Sequence, residues 1–298
     1  MGLTSGRIWI LGAPDPEMVA IESLLTQAGE YVAHAGFLDA GRPGGFRRCA
    51  PGDAYASQAH QYRTDCGDVG SRSETWYLVE CTVPTPDGCL VIRIDHHWPG
   101  NPGFGRTPAE FFPASSIGQV LAVLAMEPSL EQRLIAAADH CLGAAYRGEC
   151  PGVDPDALMR WRAENRAKFQ GRSVAEMLVD IAVTTEALRS APTIQLRVIR
   201  EDDWIVNAAD AALVDEQAAL SVRDMRRELP YPELPEAACR LGVGYISGPL
   251  VDCDGRRKIT CSGSPEQIQA FLFHWAPNNG LVDIYGDPAR GFAGGYLP

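Results

Sequence analysis

Apolar runs near the start of the chain constrain its fold more than any other feature. RIWIL (7–11), WYLVEC (76–81) and GCLVIRID (88–95) are rich in β-branched and large apolar residues and lack strict alternation. Such runs suit strands buried on both faces, as in a parallel sheet covered by helices. YVAHA (31–35) reads as a further short strand. Between the first two strands, Pro16 to Ala28 reads as a helix. Met18, Ile21, Leu24 and Leu25 share one face, and Gly29 supplies the stop. A strand–helix–strand opening followed by several helices predicts an α/β fold with a parallel sheet flanked by helices.

Residues 39–72 hold Gly, Pro, Arg and polar residues and read as a long loop. Its Arg42, Arg47, Arg48, Tyr55, His60, Tyr62 and Arg63 suit either a cover for a nucleotide or a solvated surface. Helical periodicity follows at 117–126, 130–146, 155–169 and 174–190, and Ala191-Pro192 breaks the last helix. Strands at 194–200, 243–248, 256–264 and 281–286, with helices at 207–220 and 265–274, predict a smaller C-terminal α/β domain. The expected boundary lies at 190–193, giving domains 1–190 and 194–298.

A chain of 298 residues with 46% hydrophobic and 21% charged residues reads as globular. Its net charge of −12, with no Lys/Arg run, argues against binding long duplex nucleic acid, which needs a basic face. A small anionic substrate in a local pocket remains compatible. Nine cysteines without a C-x-x-C pair point to reduced thiols rather than a disulfide framework or zinc ribbon. The opening apolar stretch is too short for a signal sequence or a membrane span. The expected location is cytoplasmic, with no membrane partner.

Chemistry-bearing residues cluster at the ends of the expected strands, the sheet edge where open α/β folds bind ligands. Asp15 and Glu17 follow the first strand, Glu80 lies near the end of 76–81, and Asp95-His96-His97 ends 88–95. Asp15 is equally suited to cap the helix beginning at Pro16. Asp139 lies within the apolar stretch IAAADHCLGAA, where a carboxylate is costly to bury unless it is paired or metal-bound. Its neighbour His140 reads as a surface position or a ligand contact. Mixed carboxylate and imidazole donors suit Mn2+, and a carboxylate-rich set also admits Mg2+.

These segments, in this order, resemble the DHH phosphoesterase superfamily, which includes RecJ-type exonucleases, nanoRNases, cyclic-dinucleotide phosphodiesterases and manganese-dependent inorganic pyrophosphatases. LGAPDPEMVAIESLL resembles the first motif, LVECTV the second, VIRIDHHWPG the name-giving third and IAAADHCLGAAYRGE the fourth. PASSIGQVL resembles the small-residue helix start that follows the third. Leu11, Glu17 and Glu80 depart from the family pattern. The resemblance implies that Asp15, Glu17, Glu80, His96 and Asp139 hold one or two Mn2+ or Mg2+ ions. It implies that His97 contacts the phosphate and protonates the leaving group, with Asp95 orienting an imidazole. Arg106, His140, Arg290, Gly294 and Gly295 are candidate substrate contacts, the last three in RGFAGGY, where a divergent DHHA1-like domain would carry a glycine motif. The implied activity is hydrolysis of a small phosphate ester or short oligonucleotide by a metal-activated water, with a homodimer compatible. A non-catalytic nucleotide-binding or regulatory protein on the same scaffold is the alternative.

Overall fold

The computed structural model describes residues 6–38, 41, 45–49, 63–67, 73–190, 219–221, 233–242, 244–251 and 256–298. Contacts divide the chain into two compact units. The first comprises Met1–Phe104 and Phe111–His140, and the second Gly105–Glu110 and Cys141–Pro298. The expected boundary at 190–193 touches residues outside the described set. The contact division falls instead after His140, because helices from 142 onward pack with the C-terminal part of the chain.

The first unit is built on strands β1 (Arg7–Leu11), β2 (Val32–Leu38), β3 (Phe46–Arg48), β4 (Arg63–Thr64), β5 (Thr75–Val79) and β6 (Leu90–Ile94). They form one mixed sheet in the order β3-β2-β1-β5-β6, with β4 also on β2. The pairs β2–β1, β1–β5 and β5–β6 are parallel, and β3 and β4 are antiparallel to β2. Central β1 is buried on both faces, as its apolar run requires. On one face Ile8 and Ile10 join Ala33, Ala35, Trp76 and Leu78 in a common core. On the other, Trp9 stacks on Tyr77 with ring centroids 4.2 Å apart. The loop expected at 39–72 therefore contains two short edge strands. Arg42, Tyr55, His60 and Tyr62 lie outside the described residues.

Helix α1 (Pro16–Gln27) follows β1 and buries Met18, Ile21, Leu24 and Leu25. Gly29, just beyond it, takes a φ of +74°, which glycine adopts without strain. After β6 come a 3-10 turn at Pro108–Glu110 and then α2 (Phe111–Ala114), α3 (Ser116–Leu124) and α4 (Leu130–His140). Helices α1, α3 and α4 pack against one another. The single helix expected over 130–146 is two. Cys141 breaks it with φ −156° and ψ 55°, and α5 (Leu142–Tyr146) resumes beyond.

The second unit continues with α6 (Pro155–Gln170), α7 (Val174–Ser190), β7 (Ala219–Ser221), α8 (Leu234–Leu241), β8 (Tyr245–Val251) and β9 (Arg257–Ser262). It ends with α9 (Pro265–Ala270), a π-helical turn at Phe271–Trp275, α10 (Ala276–Asn278), β10 (Val282–Asp287) and β11 (Phe292–Tyr296). The five strands run β10-β11-β9-β8-β7, antiparallel except for β7–β8. Residues 219 and 220, expected in a helix, are part of β7. The expected strand at 194–200 and the rest of the 207–220 helix lie outside the described residues. A core of Ile246, Ile259, Ile268, Phe271, Trp275 and Leu281 lies between this sheet and its C-terminal helices. Among the described residues, no helix is long and apolar enough to cross a membrane.

Candidate metal centre

The carboxyl ends of β1, β5 and β6 deliver their following residues to one edge of the parallel sheet. Three of the four acidic motifs thereby converge, and α4 brings the fourth. Glu17, Glu80, His96 and Asp139 each place one ligand atom within 4.8 Å of the others. Glu80, His96 and His97 form a second, overlapping set. His96 is fully buried at the centre, with Nε2 2.9 Å from Asp139 Oδ2 and 3.8 Å from Glu80 Oε1. These residues can hold a metal ion.

Each ligand has a local cause for its position. Glu80 directly follows β5 and continues its pairing, since its N–H donates to Ile94 O at 3.0 Å. Its φ is +48°, a left-handed conformation that costs a non-glycine residue about 1 kcal/mol or more. That turn aims the carboxylate back at the cluster instead of along the strand. Gly12 makes the turn possible, because a Cβ there would lie 2.3 Å from Glu80 O. Glu17, in the first turn of α1, accepts Ile117 N–H on Oε1 at 3.0 Å. The start of α3 therefore fixes it. Ser115 caps that helix by accepting Gly118 N–H, as the small-residue PASSIG segment allows.

The Asp95-His96-His97 turn is organised by its own aspartate. Asp95 Oδ1 accepts the N–H of His96 at 2.7 Å and of His97 at 2.9 Å, and lies 2.9 Å from His97 Nδ1. Its carbonyl accepts from Gly103 N–H and from the Gln119 side chain. Gly103 cannot carry a side chain, because a Cβ would meet Ala114 O at 2.0 Å and His96 Cβ at 2.6 Å. Gln119 and Gly103 are thus positioning residues that sequence reasoning missed. The Gly-rich stretch after the histidines hinted at Gly103, and PASSIGQVL contains Gln119 without marking its contact with Asp95.

The electrostatics are those of a cluster of buried acids. Burial, with Asp139 nearby, raises the Asp15 carboxyl to about 6. Burial, and then Asp139 and Glu80, push Glu17 well above the ordinary range. Burial raises Glu80 to about 7; the neighbouring His97 opposes this, and Asp139 and Asp15 add to it. Glu17 Oε2 and Glu80 Oε1 are buried and accept no hydrogen bond from the described residues. Among those residues neither glutamate has a Lys or Arg partner. Buried carboxylate oxygens are normally hydrogen-bonded, paired or metal-bound. The donor set therefore fits a cation.

The remaining sequence candidates divide. Asp15 takes its capping role, with Oδ1 accepting Met18 N–H at 2.7 Å, and it is in neither ligand set. His140 is buried, not at the helix surface, and its ring meets His96 edge-on with centroids 5.2 Å apart. Asp139 is the penultimate residue of α4, with its side chain about 29% exposed, so its helix is less enclosing than its apolar sequence suggests. Arg106 lies in the segment assigned to the second unit, exposed and 3.4 Å from Glu110. Arg290, also in that unit, is buried with its guanidinium over the Phe292 ring. Gly294 and Gly295 lie inside β11, where added side chains would press on Tyr285 and Leu281. Sheet packing accounts for both glycines. No model of a known protein family matches this chain, and no curated protein matches it.

Proposed function

We propose that this protein is a divalent-metal-dependent phosphoesterase acting on a small phosphate ester or short nucleotide. One observation carries the reading. Four ligand atoms from Glu17, Glu80, His96 and Asp139 converge within 4.8 Å, with two carboxylate oxygens lacking donors, at the carboxyl edge of a parallel sheet. The motifs that supply them follow the chain order of the DHH superfamily, and this supports Mn2+ or Mg2+ as the ion. When bound, such an ion would supply Lewis acidity, acidifying a water and neutralising phosphoryl oxygens.

The protein's own groups do the rest. Glu17 is held by the α3 backbone and Glu80 by its left-handed turn, so both keep their positions without a cation. His96 bridges toward Asp139 and Glu80. Asp95 accepts the Nδ1–H of His97, which fixes that ring and leaves Nε2 as the atom that exchanges a proton with the leaving group. The engagement of Asp15 as a helix cap favours a second reading, in which a reduced ligand set binds a nucleotide without turnover.

Calorimetric titration of metal-free protein with Mn2+ tests the reading, alongside assays on dinucleotides, cyclic dinucleotides and pyrophosphate. Saturable Mn2+ binding lost in His96→Ala, with turnover of one of these substrates, is expected. Binding without turnover of any of them would favour the second reading. No Mn2+ binding, with His96→Ala behaving as the parent, would overturn both.

A further inference from the structure

Two cysteines lie just after the metal cluster in the chain, and the proposed chemistry does not use them. Cys141 follows Asp139 and His140 directly and is the residue at which the helix breaks. Its Sγ is 3.2 Å from Sγ of Cys150, nine residues on, and both side chains are buried. Between them lie the five residues of α5 and a turn in which Gly148 takes a φ of +77°. Three other described thiols contact oxygen instead: Cys81 lies against Ile10 O, Cys89 against Pro86 O, and Cys66 against Thr64 Oγ1.

We infer that Cys141 and Cys150 form a reversible disulfide on exposure to a peroxide, and that this closure tunes the metal cluster through Asp139. One thiolate sulfur attacks a peroxide oxygen, the O–O bond breaks, and a sulfenic acid forms as the departing oxygen takes up a proton. The second thiol then attacks the sulfenic sulfur. The S–S bond forms, the S–O bond breaks and water leaves. With hydrogen peroxide, two thiols give up two electrons and two protons, and the peroxide becomes two waters.

The sulfurs must close from 3.2 Å to about 2.05 Å, a shift small enough for side-chain and local backbone adjustment. The backbone at Cys141, with φ −156° and ψ 55°, lies outside helical geometry and can absorb it. Burial shelters both thiols from solvent, so the reaction needs local opening around the short α5 and is slow. The disulfide itself does not depend on the proposed activity. The coupling does, because it acts on Asp139, two residues earlier in the chain.

Reduced, metal-free, full-length protein is treated with hydrogen peroxide and digested without reductant. The expected product is a Cys141–Cys150 cross-linked peptide, two hydrogens lighter than its parts and separated by dithiothreitol. Mn2+ titration of the oxidised and reduced forms is expected to differ by about tenfold, as for other groups that position metal ligands. Cys150→Ser is expected to lose both the cross-link and the difference while still binding Mn2+. Absence of the cross-link, or peroxide ending only in sulfinic acids at these positions, overturns the disulfide. A cross-link with unchanged Mn2+ affinity overturns the coupling. Reduced protein that binds no Mn2+ removes the metal reading and the coupling together, while the cross-link assay still decides the disulfide.

Discussion

Each unit of this protein buries a glutamate among other charged groups, and the two are treated in opposite ways. In the second unit, Glu236 on α8 is surrounded by cations and donors. Arg162 reaches both of its oxygens at 3.0 and 3.1 Å, Arg166 adds a contact at 3.1 Å, and Tyr146 donates its hydroxyl. Burial pushes this carboxyl up, yet Arg162 and its neighbours hold it below the ordinary range. Arg166 and Arg172 also pair with Glu233, so the network links α6, α8 and the segment between α6 and α7. In the first unit, Glu80 is equally buried but has carboxylates and imidazoles for company, and its carboxyl rises to about 7. The difference separates scaffold from site. A fold that neutralises its own buried acid has no need of a ligand there, whereas one that gathers acids without a lysine or arginine among them favours an incoming cation.

The largest expected effect breaks the neutralised side. Arg162→Met leaves Glu236 short of its main counter-charge and should destabilise the protein by about 3–5 kcal/mol in urea unfolding. Mn2+ affinity should be unchanged, because that residue belongs to the other cluster.

Next comes Gly12→Ala. The added methyl would press on the Glu80 carbonyl, costing about 1–3 kcal/mol by overpacking. Mn2+ affinity should fall as well, and a variant that loses stability while keeping full affinity would show that the Glu80 turn does not set the site.

The third prediction concerns pH. In the fold Glu80 and Asp15 titrate near 7 and 6, above 4.5 and 3.8 for the unfolded chain. Between these values the folded protein holds more protons than the unfolded one. The stabilising contribution is complete below about pH 4 and disappears as the pH rises through 6 and 7, so metal-free protein loses stability across that range. Mn2+ affinity should climb over the same range as protons leave the ligands. Denaturant midpoints at several pH values, with and without Mn2+, measure both trends.

The smallest effect is the sharpest contrast with the first. Glu80→Gln in metal-free protein near pH 8 removes a buried charge that lacks a cation. It should leave stability within about 1 kcal/mol of the parent, or raise it, while abolishing tight Mn2+ binding. The same change at Glu236 should be clearly destabilising.

The sheet of the first unit was legible because strands buried on both faces cannot avoid continuous apolar runs, and 7–11, 76–81 and 88–95 each have one. The convergence of the candidate metal ligands was largely legible for a related reason: acids and histidines stand where those runs end. Less could be read where tertiary contacts decide. IAAADHCLGAAYRGE has helical periodicity throughout, so the break at Cys141 leaves no local trace. The edge strands at 46–48 and 63–64 exist only through pairing with β2, and three or two residues carry no period of their own. The left-handed Glu80 looks like any strand-end glutamate in sequence. The arginines around Glu236 read as surface charge, since nothing in the spacing of 162, 166 and 236 announces that they meet.

The short excursion of Gly105–Glu110 into the second unit has a consequence for dissecting the molecule. The chain leaves the first unit after Phe104, where Gly105 donates its N–H to Asp287 at 3.1 Å, and re-enters it at Phe111. The units are therefore stitched by three chain crossings, not one, and no single cut yields two intact pieces. A fragment ending at His140 would carry a dangling hexapeptide stripped of Asp287, and the complementary fragment would lose the Gly105 donor to Asp287 Oδ2. Domain swaps or split versions of this protein should supply residues 105–110 together with the second unit before loss of function in a fragment is blamed on the missing half.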